Sequence, residues 1–229
     1  MIRIFDNSRE LARGAAEHFM ALAQKDFFTV ALSGGSTPKI LYEVLVDRQK
    51  EVPWARTHFF WSDERHVPPD HPDSNYRMAY EAMLSRVPVP VGNVHRIRGE
   101  NPDAQKAADE YEQTLIEQTR QSLPRLDLIL LGLGADGHTA SIFPGSEVLK
   151  ETQRLIAAPW VEKLNTHRIT MTLPLLNNGA SVLFLVSGAE KAGIVKEVLE
   201  GSEKYPAQAV QPTNGELLWM LDKDAASQI

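Results

Sequence analysis

Five short runs of β-favouring, largely apolar residues, Phe27 to Leu32, His58 to Trp61, Asp127 to Leu133, His167 to Leu173 and Val182 to Val186, alternate with longer amphipathic stretches. Strands that are apolar on both faces need cover on both sides, and the intervening stretches can supply helices for it. Ser8 to Ala23 repeats apolar residues at helical spacing (Leu11, Ala15, Phe19, Leu22) behind a Ser8 cap. Further helices are expected from Pro38 onward, and over Tyr76 to Leu84, Asp103 to Gln121 and Glu190 to Leu199. Helix and strand in alternation, joined by right-handed crossovers, imply an α/β fold: a doubly wound, mostly parallel sheet with helices on both faces, in a modified Rossmann-like arrangement. In such sheets, ligands sit beyond the carboxyl ends of the strands.

The composition narrows the function classes. The 229 residues, 43% hydrophobic and 24% charged, suit an ordinary globular protein, and no repeat or polar linker divides them, so one domain over residues 1–229 is expected. The lack of cysteine excludes disulfide scaffolds, thiolate metal sites and cysteine nucleophiles, and it fits a reducing cytoplasm. With 24 basic against 30 acidic residues, a net charge of -6 and no basic stripe, nucleic acid is not the expected partner. Met1 to Asp6 meets charge too early for a secretion signal, and the longest apolar runs fall well short of the roughly 20 residues of a membrane span. A small molecule, rather than a nucleic acid or a membrane, is therefore the expected partner.

Three strand ends carry candidate chemistry. In Leu32-Ser33-Gly34-Gly35-Ser36-Thr37-Pro38, glycines Gly34 and Gly35 let the backbone approach an anion. The hydroxyls of Ser33, Ser36 and Thr37 and the helix N-terminus can donate to it. The plainer reading is a capped strand-to-helix turn; the G-x-x-x-x-G-K-[ST] phosphate loop is absent. Gly132-Leu133-Gly134-Ala135-Asp136-Gly137-His138-Thr139 contains a formal G-x-G-x-x-G, but Asp136 inside the turn would repel a pyrophosphate, and the motif follows a late strand. His138 on that turn is either a general base, with Asp136 able to orient it, or a loop histidine in structural hydrogen bonds. Trp61-Ser62-Asp63-Glu64-Arg65-His66 brings charge to the same rim, where Arg65 either meets an anion or an oxyanion or pairs within a solvated loop. Asp70 and His71 nearby match no zinc or calcium spacing, so no metal is expected. Arg168 and Lys191 are surface charges if taken singly; with the Gly34-Gly35 turn they can surround a phosphate. No G-x-S-x-G elbow is present. The residues alone thus point to a metal-independent enzyme using His138 on a small phosphorylated molecule.

At these same segments the chain resembles the 6-phosphogluconolactonases, relatives of the glucosamine-6-phosphate deaminases. The resemblance rests on Ser33 to Pro38, Trp61 to Arg65, Ser74-Asn75-Tyr76, Gly132 to Pro144, Arg168-Ile169-Thr170 and Ser187 to Lys191, and it spans nearly the whole chain. It implies hydrolysis of 6-phospho-D-glucono-1,5-lactone to 6-phospho-D-gluconate in the pentose phosphate pathway, with no cofactor, by a cytoplasmic monomer or homodimer. His138 would be the base, Asp136 its support and Arg65 a binder of the oxyanion or the sugar acid. Ser33 to Thr37, Arg168 and Lys191 would hold the 6-phosphate. Asp63, Asn75 and Tyr76 are pocket candidates without a definite role. The deaminases typically carry Glu five residues after the histidine, where this chain has Phe143, and Tyr where it has Arg65. A non-catalytic sugar-phosphate sensor is the alternative from another class.

Overall fold

A computed structural model describes residues 1–202 and 205–229. Among the described residues ten strands run in chain order: β1 Ile2–Phe5, β2 Phe28–Leu32, β3 Thr57–Trp61, β4 Asp63–Arg65, β5 Leu128–Leu131, β6 Ile156–Ala157, β7 Trp160–Val161, β8 Thr166–Met171, β9 Ser181–Val186 and β10 Glu216–Asp222. The helices are α1 Ser8–Leu22, α2 Ser36–Asp47, α3 Asn75–Ala82, α4 Ala104–Thr119, α5 Leu173–Leu176 and α6 Ala192–Glu200. Six strands form one parallel sheet in the order β1-β10-β9-β5-β2-β3. Every residue of β2, β5 and β9 is buried, as expected for a sheet covered on both faces. From β2 the chain moves outward to β3, whereas β5 leads the opposite way to β9 and β10. The direction therefore reverses between β2 and β5, which leaves a crevice beyond their carboxyl ends.

The doubly wound sheet is the one expected, but its membership differs from the sequence reading. The run around Arg168 does not enter it: β8 pairs antiparallel with β4, β6 and β7 in a smaller sheet. The first half of β8, Thr166-His167-Arg168, is polar and only half-buried, unlike the fully buried strands at the centre of the large sheet. Two strands of the large sheet, β1 and β10, also lie outside the five expected, as do β4, β6 and β7 of the small one. The edge strand β1 is short and mostly exposed, so it has little apolar signal, while β10 is a buried apolar run as clear as the others. The cap of α1 is Asn7, not Ser8: its side chain accepts from the amides of Arg9 and Glu10 at 3.0 Å. Helix α2 starts at Ser36, so Pro38 is its third residue. In α1, Leu11, Ala15 and Phe19 are fully buried, with the Phe19 ring edge-on to Phe28 of β2 at 5.2 Å. Among the described residues, no helix is long and apolar enough to cross a membrane.

At the β3 edge, His95 Nε2 lies 3.1 Å from His58 Nδ1, and the His95 ring stacks on Phe60. Burial, then the charge of His58, push the His95 imidazole down from the ordinary 6.5 to about 4. Between those values the unfolded chain binds the extra proton, so stability present above the unfolded value is lost as pH falls toward the folded one. Urea titration should show wild type losing about 2 kcal/mol more than His95→Phe between neutral pH and about pH 4.5. Parallel losses in the two proteins would show that this pair does not set the acid sensitivity.

Candidate active site

A cleft of about 480 Å3 occupies the crevice. It is lined by the turns that follow β2 (Ser33 to Pro38), β5 (Gly132 to Phe143) and β9 (Ser187 to Lys191), and Arg65 of β4 and Arg168 of β8 also line it. The residues expected at the site therefore line one cavity, apart from Asp136, which bonds His138 Nδ1, and the pocket candidate Tyr76.

The turn after β2 is built around two glycines with different duties. Gly35 has φ +107°, a conformation that strains any residue with a Cβ, and it precedes α2 without a side-chain cap, so the helix's first amides are free of a side-chain acceptor. A Cβ on Gly34 would overlap the carboxamide of Asn75. The Ser33 amide donates to the Tyr42 hydroxyl at 3.0 Å, and that hydroxyl donates to the Ser33 carbonyl at 2.7 Å, so α2 anchors the turn from beneath. Thr37 Oγ1 meets Ser187 Oγ at 2.8 Å, tying this turn to the one after β9. Uncapped amides at the positive end of a helix such as α2 can receive an anion.

After β5 the chain folds back on itself. The Gly134 amide donates to the His138 carbonyl at 2.8 Å, and Gly137, with φ +76°, turns the chain between them. A Cβ on Gly134 would overlap the His138 ring, so this glycine makes room for an imidazole and not for a dinucleotide. His138 Nδ1 lies 2.5 Å from Asp136 Oδ1, while the other carboxylate oxygen takes an ion pair from Lys163. Burial raises the Asp136 carboxyl, but the hydrogen bonds from Lys163 and His138 outweigh it and hold the group well below the usual carboxylate range. Asp136 stays an acceptor, so Nδ1 is the nitrogen that donates to it and Nε2 is the one left outside that bond. The Phe143 ring packs against the imidazole at 4.3 Å. Ala140 holds φ 47°, and left-handed residues with a Cβ cost roughly 1–2 kcal/mol, a strain concentrated where the loop meets the cleft.

The charged run after β3 divides its roles. Glu64, 2% exposed, accepts from the amides of Arg65, Asn75 and Tyr76 and from the Ser74 hydroxyl, at 2.7–3.1 Å. Burial pushes its carboxyl up against those hydrogen bonds, and its task is to pin the start of α3. Asp63 accepts from Ser141 Oγ at 2.6 Å and Asn75 Nδ2 at 3.2 Å, linking the loop after β5 to Asn75 and so to Gly34. Tyr76 lies outside the cleft lining, with its ring edge-on to Trp61. Arg65 and Arg168 stand directly opposite each other across the β4–β8 pair. Burial, then the charge of Arg65, push the Arg168 guanidinium down. Like charges opposed on a sheet are unfavourable, and among the described residues neither arginine forms a salt bridge, so the pair is poised for an anion. Lys191 Nζ donates to the Leu133 carbonyl at 2.9 Å, at the rim shared by the turns after β5 and β9.

Lys163 escaped the sequence reading. It stands 25 positions beyond His138 in a polar segment, and only the folding of the small sheet brings it to Asp136.

The family profile described as glucosamine-6-phosphate isomerases/6-phosphogluconolactonase matches residues 6–219. A 6-phosphogluconolactonase of Nostoc sp. is 43% identical over 215 residues, covering 91% of this chain and 88% of that protein. The solved 6-phosphogluconolactonase of Thermotoga maritima is 33% identical with a TM-score of 0.84, covering 97% of this chain and 99% of that one. That of Trypanosoma cruzi is 28% identical with a TM-score of 0.88, covering 100% and 96%.

Proposed function

The chain belongs to the glucosamine-6-phosphate isomerase/6-phosphogluconolactonase family, and from that premise we propose that it hydrolyses 6-phospho-D-glucono-1,5-lactone to 6-phospho-D-gluconate, a step of the pentose phosphate pathway. The observation that carries the choice within the family is the 2.5 Å His138–Asp136 bond with an apolar ring, Phe143, against the imidazole. The deaminase reaction needs a second group to move protons during ring opening. Phenylalanine cannot do that, and lactone hydrolysis does not ask for it.

In the proposed reaction His138 Nε2 takes a proton from water as the oxygen attacks the lactone carbonyl carbon. Asp136 keeps the imidazole in the required tautomer and stabilises it once protonated. Arg65 faces the charge that grows on the carbonyl oxygen as the tetrahedral intermediate forms. When that intermediate collapses, the C–O bond to the ring oxygen breaks, and His138 returns its proton to the departing oxygen. The Ser33 to Thr37 turn holds the 6-phosphate together with Arg168 and Lys191, which fixes the carbonyl near the base. Such positioning can lower a barrier by several kcal/mol. The partner required is a small phosphorylated sugar lactone, and the residues supply every role without a cofactor.

A coupled assay with freshly prepared lactone, corrected for spontaneous hydrolysis, tests the proposal against ammonia release from glucosamine 6-phosphate. The lactone should be favoured in kcat/KM by about 10^3-fold or more. Ammonia release at a comparable rate would move the chain to the deaminase side of its family.

A further inference from the structure

Lys163 sits where a cation influences His138 without bonding to it. It belongs to the 3-10 turn Glu162–Leu164 between β7 and β8, which Asn165 closes in the left-handed conformation. The turn borders the cleft through Lys163 and Leu164. Two contacts place the ammonium: the ion pair to Asp136, on the oxygen that His138 does not use, and the face of Phe143, whose centroid lies 4.5 Å away. Phe143 in turn packs on the imidazole. Lys163, Asp136, His138 and Phe143 thus form a closed ring of contacts around the base.

We propose that Lys163 is a positioning residue for the reaction, acting through Asp136 to keep His138 oriented and neutral at working pH. The inference rests on the assignment of His138 as the base. A carboxylate hydrogen-bonded to a histidine favours the charged imidazolium, and left alone Asp136 would hold a proton on His138 that the base must not carry before attack. Lys163 offsets that carboxylate charge and anchors the oxygen facing away from the ring. The other charged groups sharing the cleft are Asp63 and Arg65 of β4, Arg168 of β8, and Glu190 and Lys191 after β9, while the Tyr205 ring lies against Gly137. Among the described residues, Lys163 is the cation that pairs directly with the Asp136 carboxylate.

The test combines NMR titration of the His138 imidazole in the free protein with the pH profile of kcat/KM, for wild type, Lys163→Met and Lys163→Arg. In Lys163→Met the imidazole midpoint and the acid limb should both move up by about half a pH unit or more, and Lys163→Arg should restore both. An imidazole midpoint that stays put in Lys163→Met overturns the proposal. A raised KM with both midpoints unmoved also overturns it, making Lys163 a substrate contact. A midpoint that moves without the acid limb supports the coupling and overturns instead the role of His138 as base.

Discussion

Replacing His138 with Asn lowers kcat for the lactone by about 10^3-fold, within the range expected when a general base is removed. The amide keeps a donor for Asp136 and much of the imidazole's shape, but it has no lone pair that can take a proton from water at neutral pH. Asp136 cannot substitute. Its carboxylate is occupied on both oxygens, by His138 and by Lys163, and those bonds hold its proton affinity far below what a base requires. The proposed phosphate seat is built from other elements, the turn after β2 with Arg168 of β8 and Lys191 after β9, so product binding should persist. Calorimetry with 6-phosphogluconate should give a dissociation constant within a few-fold of wild type. A variant retaining more than a tenth of wild-type kcat would remove His138 from the mechanism. Loss of both rate and binding would show that the residue supports the cleft's shape instead.

The turns after β2 and β5 that line the cleft were legible because each depends on local chemistry: an apolar strand stops, small residues turn the chain, and the next polar group lies within a few positions. Ser33 to Thr37 and Asp136 to His138 are of this kind. The other half of the site depends on contacts between distant segments. Nothing near Gly34 announces that Asn75 lies against it, and nothing near Asp136 announces Lys163. Arg168 was expected at the site, and it is there, but by a different route. Its strand belongs to the small antiparallel sheet, and that pairing sets it opposite Arg65. The apparent dinucleotide motif shows the same limit from the other side. The spacing of Gly132, Gly134 and Gly137 fits a pyrophosphate turn, whereas the space beside Gly134 is filled by a histidine from its own loop. The displaced cap of α1 is a milder case: Asn7 and Ser8 are both good cap residues, and propensity alone does not choose between neighbours.

Gly134→Ala should cost kcat about 100-fold although it removes no functional group. Gly134 is not among the glycines with positive φ, so alanine meets no backbone strain there, and the whole effect falls on the one contact a Cβ would make. That contact is the His138 ring near Nδ1 and Cε1. The ring has little freedom to yield: Asp136 holds Nδ1, Phe143 packs against it, and its own carbonyl is bonded to the Gly134 amide. The imidazole must therefore rotate or lift, and a displacement near 1 Å at a reacting group is enough for a loss of this size. Because the contact lies at the cleft and not in the main core, the melting temperature should fall by no more than a few degrees. Binding of 6-phosphogluconate should change little, since the phosphate turn is untouched. Gly137→Ala makes the contrast, because φ +76° and the Tyr205 ring oppose its Cβ, so that variant should lose stability as well as rate. If Gly134→Ala keeps wild-type kcat, the imidazole is not held in the geometry on which its role as base depends.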